Sequence, residues 1–254
     1  MTTATIDLDI LQLTDSHLFE DPERQLKGVA TCASFRRTLQ HALALWQPDI
    51  ILLTGDISED QSPASYRFLR ETLEPAQTPV FCIPGNHDDP TVLASILDSD
   101  NFHYCQTLRR GNWLLPMLNT WDGERAGGRI GADQLAELDQ QLAETDAEHA
   151  LICLHHQPVP VGSAWLDSVG LADRDALMAV LSRHSRVRGL LWGHIHQTYD
   201  QRRDGLRLMG TPSTCYQFVP GVDAFALDRL GPGFRRLILR RDGSMDSQIT
   251  QLDP

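Results

Sequence analysis

The stretch "PVFCIPGNHDD" (residues 79–89) sets an apolar run, Pro79 to Ile83, directly against Gly85, Asn86, His87, Asp88 and Asp89. The run reads as a buried strand, and Gly85 alone suffices to turn the chain at its end. An amide, an imidazole and two carboxylates in the next four positions need a reason beyond the turn. Four other apolar runs end in the same manner, in "TDSH" (14–17), "TGD" (54–56), "HHQP" (155–158) and "WGHIH" (192–196). In open α/β sheets ligands gather at the carboxyl ends of strands, so the five clusters are expected to converge on one face.

Around these clusters the chain alternates short apolar strands with amphipathic helices. Strands are expected at 6–13, 49–54, 79–83, 112–120, 149–154 and 187–192. Helices are expected at 29–46, 63–73, 90–97, 131–144 and 173–184. In the first helix Cys32, Phe35, Leu39, Leu43 and Trp46 recur at the three- and four-residue spacing that keeps one face in a core. Pro63 falls in a first turn, where its missing N–H is harmless. Pro116 places the 112–120 strand at an edge or a bulge. After His196, hairpin-like segments around "RRDG" (202–205), "GPG" (231–233) and "RDG" (241–243) predict an antiparallel sheet closing an α/β chain. No linker, repeat or low-complexity segment divides the chain, which reads as one mixed α/β domain over 1–254.

Composition narrows the partners. The 254 residues carry a formal net charge of -12, with Lys27 the single lysine and no basic run. Binding to nucleic acid as a bulk polyanion rests on clustered positive charge, so that class is not expected. A phosphate substrate stays open, because bound cations reverse the local field. The five cysteines are odd in number and widely spaced, which suits buried residues in a reducing compartment. No basic leader with a long apolar stretch opens the sequence and no window approaches a membrane span, so a cytoplasmic protein is expected, free of membrane and nucleic acid, with a homodimer left open.

Asp15 and His17, two residues apart, would point to the same side of a strand-like continuation and so hold one ion; His194 and His196 repeat that spacing. Each pair alone is also compatible with a turn carboxylate beside a surface histidine, and each Gly-Asp or Gly-Asn step with an ordinary turn. Independent turns, however, have no reason to supply aspartates, an asparagine and several histidines all at strand exits. Gly55, Gly85 and Gly193 would let the backbone turn sharply or come close to other groups. Mixed nitrogen and oxygen donors without thiolate suit manganese, iron or zinc rather than copper(I) or a closed structural zinc site. The candidates Asp15, His17, Asp56, Asn86, His155, His194 and His196 exceed one tetrahedral ion. With one carboxylate shared they suffice for two ions with open positions, an arrangement used for in-line attack on phosphorus. His155 continues directly from its strand and is favoured over His156, which is expected to contact substrate or backbone. His41, His103, His149 and His184 fit no cluster.

The ordered set Asp15-x-His17, Gly55-Asp56, Gly85-Asn86-His87-Asp88, His155 and Gly193-His194-x-His196, spanning 14–196, resembles the calcineurin-like metallophosphoesterase family. The resemblance implies an α/β fold, a four-layer α-β-β-α sandwich of two mixed sheets with a dinuclear metal site at the strand carboxyl ends. It implies Asp15, His17 and His196 on one metal, Asn86, His155 and His194 on the other, and Asp56 between them. The metals would be two divalent ions, Fe2+ and/or Mn2+, with Zn2+ admissible. His87 would be the catalytic histidine beside the leaving group, and His17, Asp56, Asn86, His87 and His196 would meet the substrate. "HHQP" with "SAWLD" (163–167), "GHIHQ" (193–197) and "GTPSTCYQF" (210–218) is further similar to the bacterial class III 3′,5′-cyclic-AMP phosphodiesterases.

That narrower resemblance implies hydrolysis of a cyclic nucleotide to 5′-AMP by a metal-bridging hydroxide, with His87 protonating the departing 3′-oxygen as a general acid. Asp88 is a candidate for the carboxylate that orients His87, or else a helix N-cap before Pro90. The competing readings are a broader metallophosphodiesterase or phosphatase, acting on glycerophosphodiesters, 2′,3′-cyclic nucleotides or nucleotides, and a scaffold that keeps the fold without the chemistry. An intact His87 and a full ligand set argue against the scaffold.

Overall fold

The computed structural model describes residues 7–254 apart from 124. Ile6, where the first strand was expected to begin, and the N-terminal stretch before it lie outside the described residues. The first half of the chain runs β1 (Leu8–Leu13), β2 (Gln25–Leu26), β3 (Val29–Ala30), α1 (Thr31–Leu45), β4 (Ile50–Thr54), α2 (Pro63–Leu73), β5 (Val80–Ile83), α3 (Pro90–Leu97) and β6 (Phe102–Tyr104). The second half runs β7 (Leu108–Arg110), β8 (Trp113–Leu115), α4 (Ala132–Glu144), β9 (His149–Cys153), α5 (Ala164–Asp167), α6 (Arg174–Leu181), β10 (Val187–Trp192), β11 (Tyr199–Arg203), β12 (Leu206–Gly210), β13 (Gly233–Leu239) and β14 (Met245–Gln251).

Two six-stranded mixed sheets form, in the orders β14-β13-β1-β4-β5-β6 and β11-β12-β10-β9-β8-β7. Alternation along each strand sorts its side chains into different cores. Ile10, Leu52, Phe81 and Ile83 from the first sheet meet Leu151, Cys153, Leu191 and Met209 from the second, which fills the space between the sheets. Leu11, Leu13, Ile51, Leu53, Val80 and Cys82 face the other way, against Phe35 and Leu39 of α1, Tyr66 and Leu69 of α2 and Leu93 of α3. Ala150, Ile152, Leu190 and Trp192 likewise cover Leu138 of α4, Leu166 of α5 and Leu177 of α6. Three cores separating four layers are the α-β-β-α sandwich that the family resemblance implied.

Local chemistry sets the element boundaries. Ser62 caps α2 by accepting from the amide of Ser65, and Asp89 caps α3 by accepting from Thr91 and Val92, each just before a proline in the first turn. The expected strand over 112–120 stops at Leu115, before Pro116, which cannot donate to a ladder. The expected antiparallel closing sheet is instead two separate hairpins, because β12 pairs in parallel with β10 while β13 pairs antiparallel with β1. The turns at 204–205 and 241–243 make those hairpins, whereas "GPG" leads into β13.

Candidate metal centre

Five parallel strands deliver the site. The exits of β1, β4 and β5 in one sheet meet those of β9 and β10 in the other, and all five polar clusters converge there. The β1 and β4 exits stay paired beyond the strands, with the amides of Asp15, His17 and Leu18 donating to the carbonyls of Gly55, Asp56 and Ile57 at 3.0, 3.0 and 2.9 Å. Asp15, His17, Asp56, His194 and His196 all adopt left-handed backbone, with φ between 45 and 66°. The strand-like continuation expected for Asp15/His17 and His194/His196 is thus absent. Tight left-handed turns aim these side chains inward, at a conformational cost of about 1–3 kcal/mol each that the surrounding structure must hold.

Glycines make the convergence possible. A Cβ on Gly85 would collide with the side chain and amide of Asp56, and one on Gly193 with the hydroxyl of Thr14 and the carboxylate of Asp15. Gly55 has φ of +96° and sits against the ring of His155. Only this last glycine is needed for its backbone angle as well as its size.

The donors fall into two overlapping sets. In the first, His196 Nε2 lies 3.3 Å from Asp15 Oδ1 and 3.2 Å from His17 Nε2. In the second, His155 Nε2 lies 3.3 Å from Asn86 Oδ1. Asp56 Oδ2 faces both, 3.8 Å from His17 Nε2 and 3.4 Å from His155 Nε2, while its Oδ1 accepts from the amide of His87 at 2.9 Å. Asp15 accepts from the amide of His194 at 3.0 Å and from the hydroxyl of Thr14 at 2.7 Å. His194 is buried among His155 and His156, its ring 5.1 and 4.6 Å from theirs.

The tautomers that these contacts impose show what fits between the sets. His17 Nδ1 faces the Glu59 carboxylate at 2.8 Å, His196 Nδ1 the carbonyl of Tyr216 at 2.7 Å, and His155 Nδ1 the carbonyl of Thr54 at 2.7 Å. Each of these nitrogens donates, so each Nε2 of the neutral ring carries a lone pair. Lone pairs of His17 and His196 then face one another, and that of His155 faces two oxygens that also accept. Only cations reconcile such a cluster, and the residues present fit divalent metals.

Without metal, protons partly take that place. Burial alone would push His155 down, but the carboxylates of Asp56 and Asp15 outweigh it and raise the imidazole to about 9. Burial and the neighbouring His155 push His194 down to about 3. Burial opposes ionisation of Asp56 too, yet the surrounding histidines hold its carboxyl well below the usual range.

His87 stands apart from the buried donors, its side chain 40 % exposed. Its Nδ1 lies 3.0 Å from the same Glu59 carboxylate that holds His17. Burial lowers its pKa, but Asp56 and Glu59 win and raise it to about 10. Glu59, despite partial burial, is drawn down to about 2 by its bonds to His17 and His87. The sequence reading missed Glu59; the only available signal was an acidic residue three places after Asp56 in the same exit loop.

Asp88 does not orient His87. Its carboxylate accepts from the amides of Ile57, Ser58 and Gly85 and the hydroxyl of Tyr66, at 2.9 to 3.1 Å, and so ties the β4 and β5 exits together. Nor is it the α3 cap, which is Asp89. Burial and the nearby Asp56 raise Asp88 to about 6. His156, expected against substrate or backbone, is fully buried with its Nδ1 2.8 Å from the Thr120 hydroxyl.

Residues 8–198, three quarters of the chain, match the profile of the calcineurin-like phosphoesterases. This chain belongs to that family. The phosphoesterase is 37 % identical over 253 residues to the 3′,5′-cyclic adenosine monophosphate phosphodiesterase CpdA of Vibrio vulnificus, covering 99 % of this chain and 92 % of the relative. It is 38 % identical to the CpdA of Pseudomonas aeruginosa, covering 96 and 90 %. Among solved structures, a dimetal phosphatase from Danio rerio superposes with a TM-score of 0.67 at 18 % identity, covering 96 % of this phosphoesterase and 98 % of that chain. The yellow lupin purple acid phosphatase PPD1 superposes at 0.64 with 14 % identity, covering 98 % of this chain and 54 % of that one. At such identities the likeness is one of fold.

Proposed function

We propose that this phosphoesterase hydrolyses 3′,5′-cyclic AMP to 5′-AMP at a two-ion centre. The observation that carries the reading is Asp56 Oδ2 facing both His17, grouped with Asp15 and His196, and His155, which meets Asn86 and is grouped with His194 and His156. Divalent ions held there, Fe2+ and/or Mn2+ with Zn2+ admissible, supply a water nucleophile at neutral pH and Lewis acidity toward the phosphoryl oxygens. Asn86 contributes an oxygen without adding negative charge where a phosphodiester must approach. His17, Asp56, Asn86, His87 and His196 would meet that phosphodiester.

His87 completes the chemistry from this chain's own groups. Glu59 occupies its Nδ1, which leaves Nε2 to donate its proton to the departing 3′-oxygen as the bond from phosphorus to that oxygen breaks. Glu59 beside Nδ1 favours the charged ring, and partial exposure lets it reach substrate.

The nucleoside has a matching surface. Phe218 stacks on His196 at 4.4 Å, Tyr216 lies 4.8 Å from the same ring, and Phe225, 50 % exposed, extends this wall at 5.4 Å from Phe218 with Trp165 against it. "SAWLD" and "TPSTCYQF", far apart in sequence, thus supply one aromatic surface beside the centre, suited to a nucleobase. We read 1–254 as one domain, since the centre draws on both sheets. Among the described residues no helix is long and apolar enough to cross a membrane. None of the five cysteines is in a disulfide, which supports a reducing, cytoplasmic setting.

Steady-state rates on 3′,5′-cyclic AMP, 2′,3′-cyclic AMP and an aryl phosphodiester, each with Mn2+ and with Fe2+, test the reading. We expect the highest kcat/KM on 3′,5′-cyclic AMP. If it were the poorest of the three, a broader phosphodiesterase would take its place.

A further inference from the structure

Three of the four histidines that bear on the ions have their second nitrogen held by an oxygen: His17 by Glu59, His196 by the carbonyl of Tyr216 and His155 by the carbonyl of Thr54. Metal-binding imidazoles almost always donate that second N–H, which fixes tautomer and ring orientation. His194 has no such oxygen. Its Nε2 is buried without a hydrogen-bond partner, and a buried polar atom left so needs an explanation.

The same is true of one other imidazole nitrogen, Nε2 of His156. The two rings are neighbours, with centroids 4.6 Å apart and planes inclined at 47°. Nδ1 of His156 lies 2.8 Å from the hydroxyl oxygen of Thr120, which also lies 3.5 Å from the amide of His156 and is placed to accept. An Nδ1–H donated to Thr120 leaves Nε2 of His156 with a lone pair. The pocket is built for this ring: a Cβ on Gly128 would collide with it and would come within 2.7 Å of the carbonyl of Thr120.

We propose that His156 is a positioning residue for His194: neither Nε2 is hydrogen-bonded in this structure, and when His194 presents Nδ1 to the metal its Nε2–H turns onto the Nε2 of His156. The chain Thr120, His156, His194 then does for the fourth imidazole what Glu59 and two carbonyls do for the others. Each buried nitrogen in it gains a partner, and the "HH" of residues 155 and 156 divides into one metal donor and one support for a donor on the next strand.

The assignment rests on the two-ion reading, and a Co2+ titration separates the two. Metal-free wild type, His156→Ala, His156→Gln and Thr120→Val would be titrated with Co2+, with bound cobalt counted, imidazoles at saturation counted by X-ray absorption, and the fold checked by circular dichroism. We expect two ions in every protein, the second bound about 10- to 100-fold more weakly in His156→Ala. His156→Gln, whose amide oxygen can accept, should recover most of that loss, and the imidazole count should be unchanged. A second-ion affinity within about twofold of wild type, or one imidazole fewer at saturation, overturns the assignment, the latter by making His156 a ligand. If His156→Ala does not fold, Thr120→Val decides by the same affinity criterion. Fewer than two ions on the wild type would contradict the two-ion reading itself.

Discussion

Glu59 is the residue on which the proposed acid and one proposed metal donor both depend, since one carboxylate takes an N–H from His17 and another from His87. His87→Ala should lower kcat on 3′,5′-cyclic AMP by about 10²- to 10⁴-fold with both ions retained. Glu59→Gln should cost 3′,5′-cyclic AMP more than an aryl phosphodiester, since both substrates feel the loosened His17 while the aryl leaving group needs little help from an acid; a loss no larger on 3′,5′-cyclic AMP would remove the His87 link. The raised pKa of His87 also has a consequence for stability. The folded state holds this proton more tightly than the unfolded one, from the ordinary 6.5 up to about 10, so its contribution is complete below 6.5 and disappears as pH climbs through about 10. In the metal-free protein the melting difference between wild type and His87→Gln should be largest near about pH 6 and vanish towards about pH 10. A difference that stays constant over that range would contradict the raised pKa. Asn86, His87 and Asp88 show the reach and the limit of reading neighbours along a chain. The residue types needed for metal and acid stand together in sequence and are legible there, but consecutive side chains point in different directions, so the carboxylate beside His87 in sequence holds loop amides while its true partner lies 28 positions away.

The exit loops are the elements that make the centre. Helices were readable from their 3.6-residue period and the central strands as short continuous apolar runs, since they are buried on both faces, and most boundaries agree within two residues. The left-handed turns at Asp15, His17, Asp56, His194 and His196 left no such trace, because they are held by contacts between loops and not by local propensity. Gly193 is where this can be tested. Gly193→Ala adds only a methyl group, yet it would press on Thr14 and lie 2.7 Å from Asp15 Oδ2, displacing the β10 exit from the β1 exit. We expect a destabilisation of about 1–3 kcal/mol in urea, as for other overpacked sites, together with weaker metal binding. Metal affinity unchanged in this variant would show that the close approach of the two loops does not set the donor geometry.

At the scale of the whole molecule, the centre exists only if the two sheets keep their relative position. A buried polar bridge joins them beneath it. Gln12 in β1 donates to the Thr54 hydroxyl at 2.9 Å and to the carbonyl of Trp192 at 3.2 Å, and accepts from Thr211. Arg235 in β13, fully buried, donates to Thr211 and to the carbonyl of Gly210, both at 2.8 Å. None of this was visible in the sequence, where Gln12 and Arg235 look no different from Asp9 and Arg236 in the same strands and have partners about 180 and 25 positions away. The convergence of five strand exits on one face was legible from their shared chemistry, and the sandwich from the family resemblance that those motifs carry. The proposed reaction requires two ions sharing Asp56. Titrating metal-free protein with Mn2+, while counting bound ions and measuring hydrolysis of 3′,5′-cyclic AMP, tests it most directly. Activity should appear only as the second ion binds, and Asp56→Asn should lose both the second ion and the activity; full activity with one ion bound, or activity retained in Asp56→Asn, would contradict it.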